Sequence, residues 1–205
     1  MTDSNVVPFP KDQRDAQWWE FTPVLVRWDV RREPNVPVIT AVGTILVERD
    51  EPLDDGATDD DYHEKAGEIR IAKAFVDTTD IVLAMDALTS DHEFLASQII
   101  DGTFYEQEFA DWFDDEFGVM LGGDPVFVLD LVIDEKHRDP DCLVAAHAAL
   151  DALSTFGGVA SPLVTFHLEG VEPTLRSGLR DVGLWGWVHA LRAKRWKGAY
   201  VTSRP

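Results

Sequence analysis

Asp130, Asp134, Glu135, His137, Arg138, Asp139, Asp141 and Cys142 fall within one short stretch, a density of titratable groups suited to moving a proton or holding an anion. The stretch is preceded by VFVLDLVI and followed by LVAAHAAL, so it reads as a polar loop between a buried strand and a helix. Such a frame often binds anions, because the first N–H groups of a helix lack intrahelical partners and the helix dipole favours negative charge there. Where glycines would let a phosphate come close, this loop carries Asp139, Pro140 and Asp141. An aspartate cap, a proline at the first helical position and an acid in the first turn predict a helix from about Pro140 to Leu153 that caps itself. Each carboxylate about 5 Å from a phosphate costs roughly 1 to 3 kcal/mol, which Arg138 alone does not offset. Near the same terminus the dipole would acidify the Cys142 thiol, but Asp139 and Asp141 oppose that shift, and an inert thiol is expected.

Metal chemistry has little support. The histidines at 63, 92, 137, 147, 167 and 189 show no ligand spacing, and Cys142 is the single cysteine, so no metal site and no internal disulfide are expected. No nucleophile elbow, Walker loop or dinucleotide fingerprint is present.

The elements that must position these residues follow from periodicity. Residues 1–20 read as an extended lead-in and 21–205 as one α/β domain, divided at 117 into an N-terminal part and a C-terminal core. FTPVLVRWDVRR and VPVITAVGTILVERD predict a strand pair, and EIRIAKAFVD a half-buried strand. Between them ERDEPLDDGATDDDYHE holds nine acids against Arg49 and reads as a mobile surface loop. Three helical segments follow, TTDIVLAMDAL, SDHEFLASQIIDG with Ser90 as its cap, and YEQEFADWFDDEFG, whose Phe109, Trp112, Phe113 and Phe117 form one apolar face. The C-terminal third reads as a strand over 126–134, the helix, a strand PLVTFHLEG, a helix EPTLRSGLRDVGL and two closing strands, with Trp185, Trp187, His189 and Leu191 alternating along the first.

LDLVIDEKHRDPDCLVAAHAAL resembles the core motif of the GCN5-related N-acetyltransferase (GNAT) superfamily, in which a strand L-x-L-x-V leads through a glycine-rich loop into a helix. Leu129, Leu131 and Ile133 match the strand, and LRDVGLWGW resembles a later helix end through Gly183 and Leu184. The resemblance covers about residues 125 to 190. It implies an α/β fold of GNAT-like (acyl-CoA N-acyltransferase-like) type, a mixed sheet with flanking helices that holds an acyl-coenzyme A between two splayed parallel strands. The cofactor contacts it implies are Val132, Ile133, Arg138, Asp139, Asp141, Cys142 and Leu143. It also implies a base for an amine proton, for which Asp130 is the first candidate and His137 and His167 the reserves. Bland roles stand beside these: Asp130 as a hydrogen-bonded strand residue, His137 as an exposed loop residue, His167 as a satisfied sheet histidine. The sequence departs from the family at the glycines and at Leu179, where a tyrosine acid is common. Three helices directly before the core strand also depart from the usual element order.

Formal charge is −20, from 18 basic and 38 acidic residues, which disfavours nucleic acid or anionic membrane as a direct partner. Residues 175–205 alone carry seven basic side chains against Asp181. No apolar run reaches eighteen residues and no leader pattern opens the chain, so a cytoplasmic protein is expected. The leading expectation is a GNAT-fold protein that has lost ordinary acetyl-coenzyme A binding, needs no cofactor and serves as an acidic protein-interaction module for a basic partner. The alternatives are an acetyl-coenzyme A-dependent N-acyltransferase acting on a basic amine or Lys-rich substrate, and an acidic nucleic-acid mimic that binds a DNA-binding protein.

Overall fold

In a computed structural model the described residues are 24–32, 36–49, 62–77, 80–138, 142–158, 160–166, 187–188 and 190–203. Their centre is a seven-stranded sheet. Strands β1 (Val24–Arg32), β2 (Val38–Glu48) and β3 (His63–Ala74) form an antiparallel meander, as their β-branched runs require. Helices α1 (Ile81–Asp86) and α2 (Ser90–Ser97), the short hairpin β4 (Ile100–Asp101) and β5 (Phe104–Tyr105), and α3 (Gln107–Phe117) follow. Strand β6 (Val126–Ile133), a 3-10 turn at Glu135–His137, α4 (Leu143–Phe156), β7 (Leu163–Phe166), β8 (Lys194–Trp196) and β9 (Ala199–Thr202) complete the chain. The sheet order is β1-β2-β3-β6-β7-β9-β8, with β6 and β7 parallel and every other neighbouring pair antiparallel. This is a mixed α/β architecture in which three helices directly precede β6.

Two apolar clusters cover opposite faces of the sheet. On one, Val26, Ala41, Ile45, Ile69, Ile71, Val128, Leu131 and Ile133 pack beneath Ala145, Ala148, Ala149, Ala152, Leu153 and Phe156 of α4, with Trp187 fully buried among them. Small residues on α4 let the helix lie close to the strands. Gly43 serves the same end on the sheet: a methyl group there would meet the Trp28 ring at 2.8 Å, and in its absence the indole reaches over β2 so that its Nε1 donates to Asp151 Oδ2 at 2.7 Å. Trp28 also meets Phe156 edge to face at 4.8 Å. On the other face Val38, Ala72, Ala74, Phe127, Val164 and Val201 pack beneath α1, α2 and α3. Phe109 and Phe113 of α3 are fully buried, as their spacing requires, while Asp111, Asp114 and Asp115 face solvent.

Local corrections have local causes. The cap of α2 is Thr89, whose hydroxyl accepts from His92 N at 3.3 Å, and Ser90 is the first helical residue. Helix α4 begins at Leu143 rather than about Pro140 and runs on to Phe156; its cap is Cys142, in a left-handed conformation (φ 58°), and its first turn holds no acid. Strand β7 is described as Leu163–Phe166, with the rest of the expected strand, including His167, outside the described residues. The two closing strands are present as β8 and β9, but Trp187 and Val188 are helical rather than extended, and Leu191 N donates to Trp187 O at 2.9 Å. Here helix propensity prevailed over apolar alternation. The lead-in, the acidic loop 50–61 and the helix EPTLRSGLRDVGL lie outside the described residues.

Candidate functional site

The site is built where β6 leaves its parallel neighbour. Val126 pairs with Leu163 and Phe127 with Val164, and the pairing stops there although β7 continues through Thr165 and Phe166. Beyond this point β6 keeps its antiparallel partner β3 on one side, and among the described residues it forms no further ladder pair with β7 on the other. The Thr165 hydroxyl donates to the Val128 carbonyl at 2.9 Å and so satisfies a buried acceptor that the parallel ladder abandons. On the β3 side the register shifts between Arg70 and Ile71, which face Asp130 and Val128, leaving Leu129 as a bulge. The bulge lets Val128 and Leu131 both face α4, and it turns Asp130 and Val132 toward the opposite face.

That opposite face is apolar and helix-covered at one end of the sheet and polar at the other. Glu68 and Arg70 of β3 stand beside Val132 and Asp130, Thr44 and Val42 of β2 continue the row, and Arg27 and Asp29 of β1 end it. Arg70 leans on Glu68, Nε to Oε1 at 3.4 Å, rather than on Asp130. Among the described residues no hydrogen bond or ion pair engages the half-buried Asp130 carboxylate. Such a group is placed to accept a proton from something that arrives from outside the chain.

The 3-10 turn after β6 carries a second group. Lys136 Nζ lies 2.7 Å from Glu64 Oε2, and His137 Nε2 lies 3.1 Å from Glu64 Oε1, near enough for Coulomb attraction but out of line for a hydrogen bond. The hydrogen bond from Lys136 is the main cause that holds the Glu64 carboxyl below its ordinary range, with the charges of Lys136, His137 and Arg49 adding to it against some desolvation. The His137 side chain is 13% exposed, so it is not the exposed loop residue that the sequence suggests. Arg138 Nε donates to the Ile133 carbonyl at 2.9 Å, which folds the guanidinium back over the end of β6.

The expected site residues therefore separate. Asp130 and Val132 share the polar face, whereas the Ile133 side chain enters the core beneath α4. Cys142 and Leu143 open α4, and Asp139, Asp141 and His167 lie outside the described residues. Helix α4 opens at Leu143 after the Cys142 cap and holds no acid in its first turn, so it starts later than expected, while the capping role expected of Asp139 and Asp141 falls on residues outside those described. Two contributors, Thr165 and Glu64, have no signal in the sequence, because each acts across the sheet on a residue far away in the chain. No cluster of three His, Cys, Asp or Glu side chains suited to a metal occurs among the described residues, and no described helix is long and apolar enough to cross a membrane.

Fold and site together define a mixed α/β protein in which two parallel strands pair over two residue pairs, with the half-buried Asp130 carboxylate further along one of them. No protein-family model, curated protein or solved structure matches the chain.

Proposed function

We propose that this chain is a GNAT-like N-acyltransferase: the arm of an acyl-coenzyme A thioester lies in the opening between β6 and β7, and an amine approaches over the polar face with Asp130 as its base. The observation that carries the reading is the parting of the two parallel strands after two residue pairs, next to a bulge at Leu129. A strand edge freed in this way offers N–H and C=O groups to an extended amide-containing ligand. The strand order, with the last two strands exchanged, supports the same reading. In the reaction the amine nitrogen attacks the thioester carbonyl carbon and Asp130 takes the nitrogen's proton. The C–S bond then breaks, and the departing thiolate takes a proton from water, since Leu179 stands where the family commonly has a tyrosine. The charge of −20 favours a cationic amine or a Lys-rich peptide as acceptor.

A second reading, an acidic interaction module without a cofactor, is favoured by the loop. Residues 134–142 contain no glycine, and the nearest cation, Arg138, is engaged with Ile133 O. Calorimetric titration with acetyl-coenzyme A and with free coenzyme A separates the two. Micromolar binding of either supports the transferase and removes the module; silence at millimolar ligand does the reverse. With binding in hand, Asp130→Asn is expected to lower acyl transfer to a polyamine by about 100-fold or more while leaving coenzyme affinity unchanged. Full activity in that variant would remove Asp130 from its role.

A further inference from the structure

Strand β1 is one edge of the sheet, and among the described residues nothing pairs with its outer side. It is long for an edge, nine residues, with Leu25 and Val30 both more than two-fifths exposed. Edges are usually blunted by a proline, a bulge, a short length or charged side chains, since their unpaired N–H and C=O groups invite another strand, and of these β1 has only the charges Arg27, Asp29, Arg31 and Arg32. Residues 24–32 contain no proline, and their pairing with β2 is unbroken from Val24 to Arg32. We propose that β1 is a dimerisation edge that pairs antiparallel with β1 of a second copy, on a two-fold axis through Trp28.

The charge order of the strand selects this register. Antiparallel strands place residues directly opposite only when both point their backbone groups the same way, so in a two-fold pair the axis must pass through a residue. With the axis at Trp28 all nine residues are engaged, and Arg27 of each copy faces Asp29 of the other on the polar face of the sheet, adding to the exposed Arg31–Asp29 pair (3.3 Å) that each copy already holds. On the α4 face Val26 meets Val30, also twice. No like charges stand opposite each other. An axis at Arg27 would oppose arginine to arginine, and one at Asp29 would oppose aspartate to aspartate and Arg27 to Arg31. An axis at Val30 again joins Asp29 to an arginine, Arg31, but engages only the five residues from Trp28 to Arg32. The strand itself is basic, with Arg27, Arg31 and Arg32 against Asp29, so within a molecule of charge −20 it is a place where two copies meet without carboxylates facing carboxylates. Dimerisation would also continue the sheet from one copy into the next, with at least four residues of each β1 offering both backbone groups across the seam.

The test is the molar mass of the whole chain by sedimentation equilibrium at physiological salt, where the screening length of about 8 Å damps repulsion between the two acidic bodies. The expected result is a concentration-dependent rise to twice the 23.0 kDa monomer. Arg27→Asp sets carboxylates opposite each other at two places and is expected to weaken the dimer about tenfold, and adding Asp29→Arg reverses both partners and restores it. Hydrogen exchange of the unmodified chain supplies a readout that needs no variant: amides at alternate positions of β1 should slow as concentration rises. A monomer at every concentration, a dimer indifferent to Arg27→Asp, a double variant that is not restored, or β1 amides that ignore concentration would each overturn the proposal.

Discussion

At the scale of single residues the molecule spends its polar groups unevenly. Asp151 is held by Trp28, and Asp124 accepts from Val76 N at 3.1 Å while pairing with Lys73 at 3.2 Å. Tyr105 donates to the Gly123 carbonyl at 2.6 Å, and burial first, then the Asp124 charge, pushes its phenol well above the ordinary range. These contacts fix loops and helices to the sheet, and Asp130 stands apart from them. Glu64 offers a measurable consequence. Its folded-state pKa is depressed, so its contribution to stability is present above its unfolded value near 4.5 and is lost as pH falls through the lower folded value. Carbon-detected NMR titration should place the Glu64 midpoint below 4.5, and Lys136→Met should move it upward, because the Lys136 hydrogen bond is the largest cause of the shift. An unmoved midpoint would show that the pair does not persist in solution.

At the scale of elements, α4 is held by apolar packing and by one directed bond from β1. Replacing Trp28 with Phe removes the donor and leaves the Asp151 carboxylate part-buried with only Thr155 Oγ1, 3.4 Å away. The expected loss is about 1 to 3 kcal/mol in urea unfolding, and making the same change in an Asp151→Leu background should cost about 1 kcal/mol less. Equal losses in both backgrounds would mean that the indole acts through packing alone. The contact between β3 and β6 is equally strict. A methyl group on Gly67 would sit 2.1 Å from the Val132 carbonyl oxygen, so only glycine lets the strands close beside the polar face. This is also the strand pair that carries the bulge and thus sets which way Asp130 points.

At the scale of the whole molecule, charge is the dominant long-range feature. Twenty excess negative charges on 205 residues repel one another in the compact state more than in the expanded one. Raising sodium chloride from low ionic strength to about 0.5 M shortens the screening length to below about 8 Å and should raise the melting temperature, although the exposed ion pairs weaken at the same time. A melting temperature that falls with salt would mean that local pairs such as Lys136–Glu64 and Lys194–Glu116 outweigh the net repulsion.

Much of this architecture is written locally. Alternation of β-branched and polar residues produced β1, β2 and β3, and the spacing of Phe109, Trp112, Phe113 and Phe117 determined which face of α3 is buried. Those patterns act through burial against whatever lies next, so they can be read without knowing the neighbour. Where β6 departs from β7, where the register slips at Leu129, and which sheet face receives Asp130 were decided only in three dimensions. Each depends on pairing between segments more than thirty residues apart. The start of α4 belongs there as well: Asp139, Pro140 and Asp141 make a good local start, yet the first helical residue is Leu143, after the left-handed turn at Cys142. Propensity at a helix end is worth about 1 kcal/mol, and the packing of Ala145, Ala148, Ala149 and Ala152 against the sheet is worth several times that.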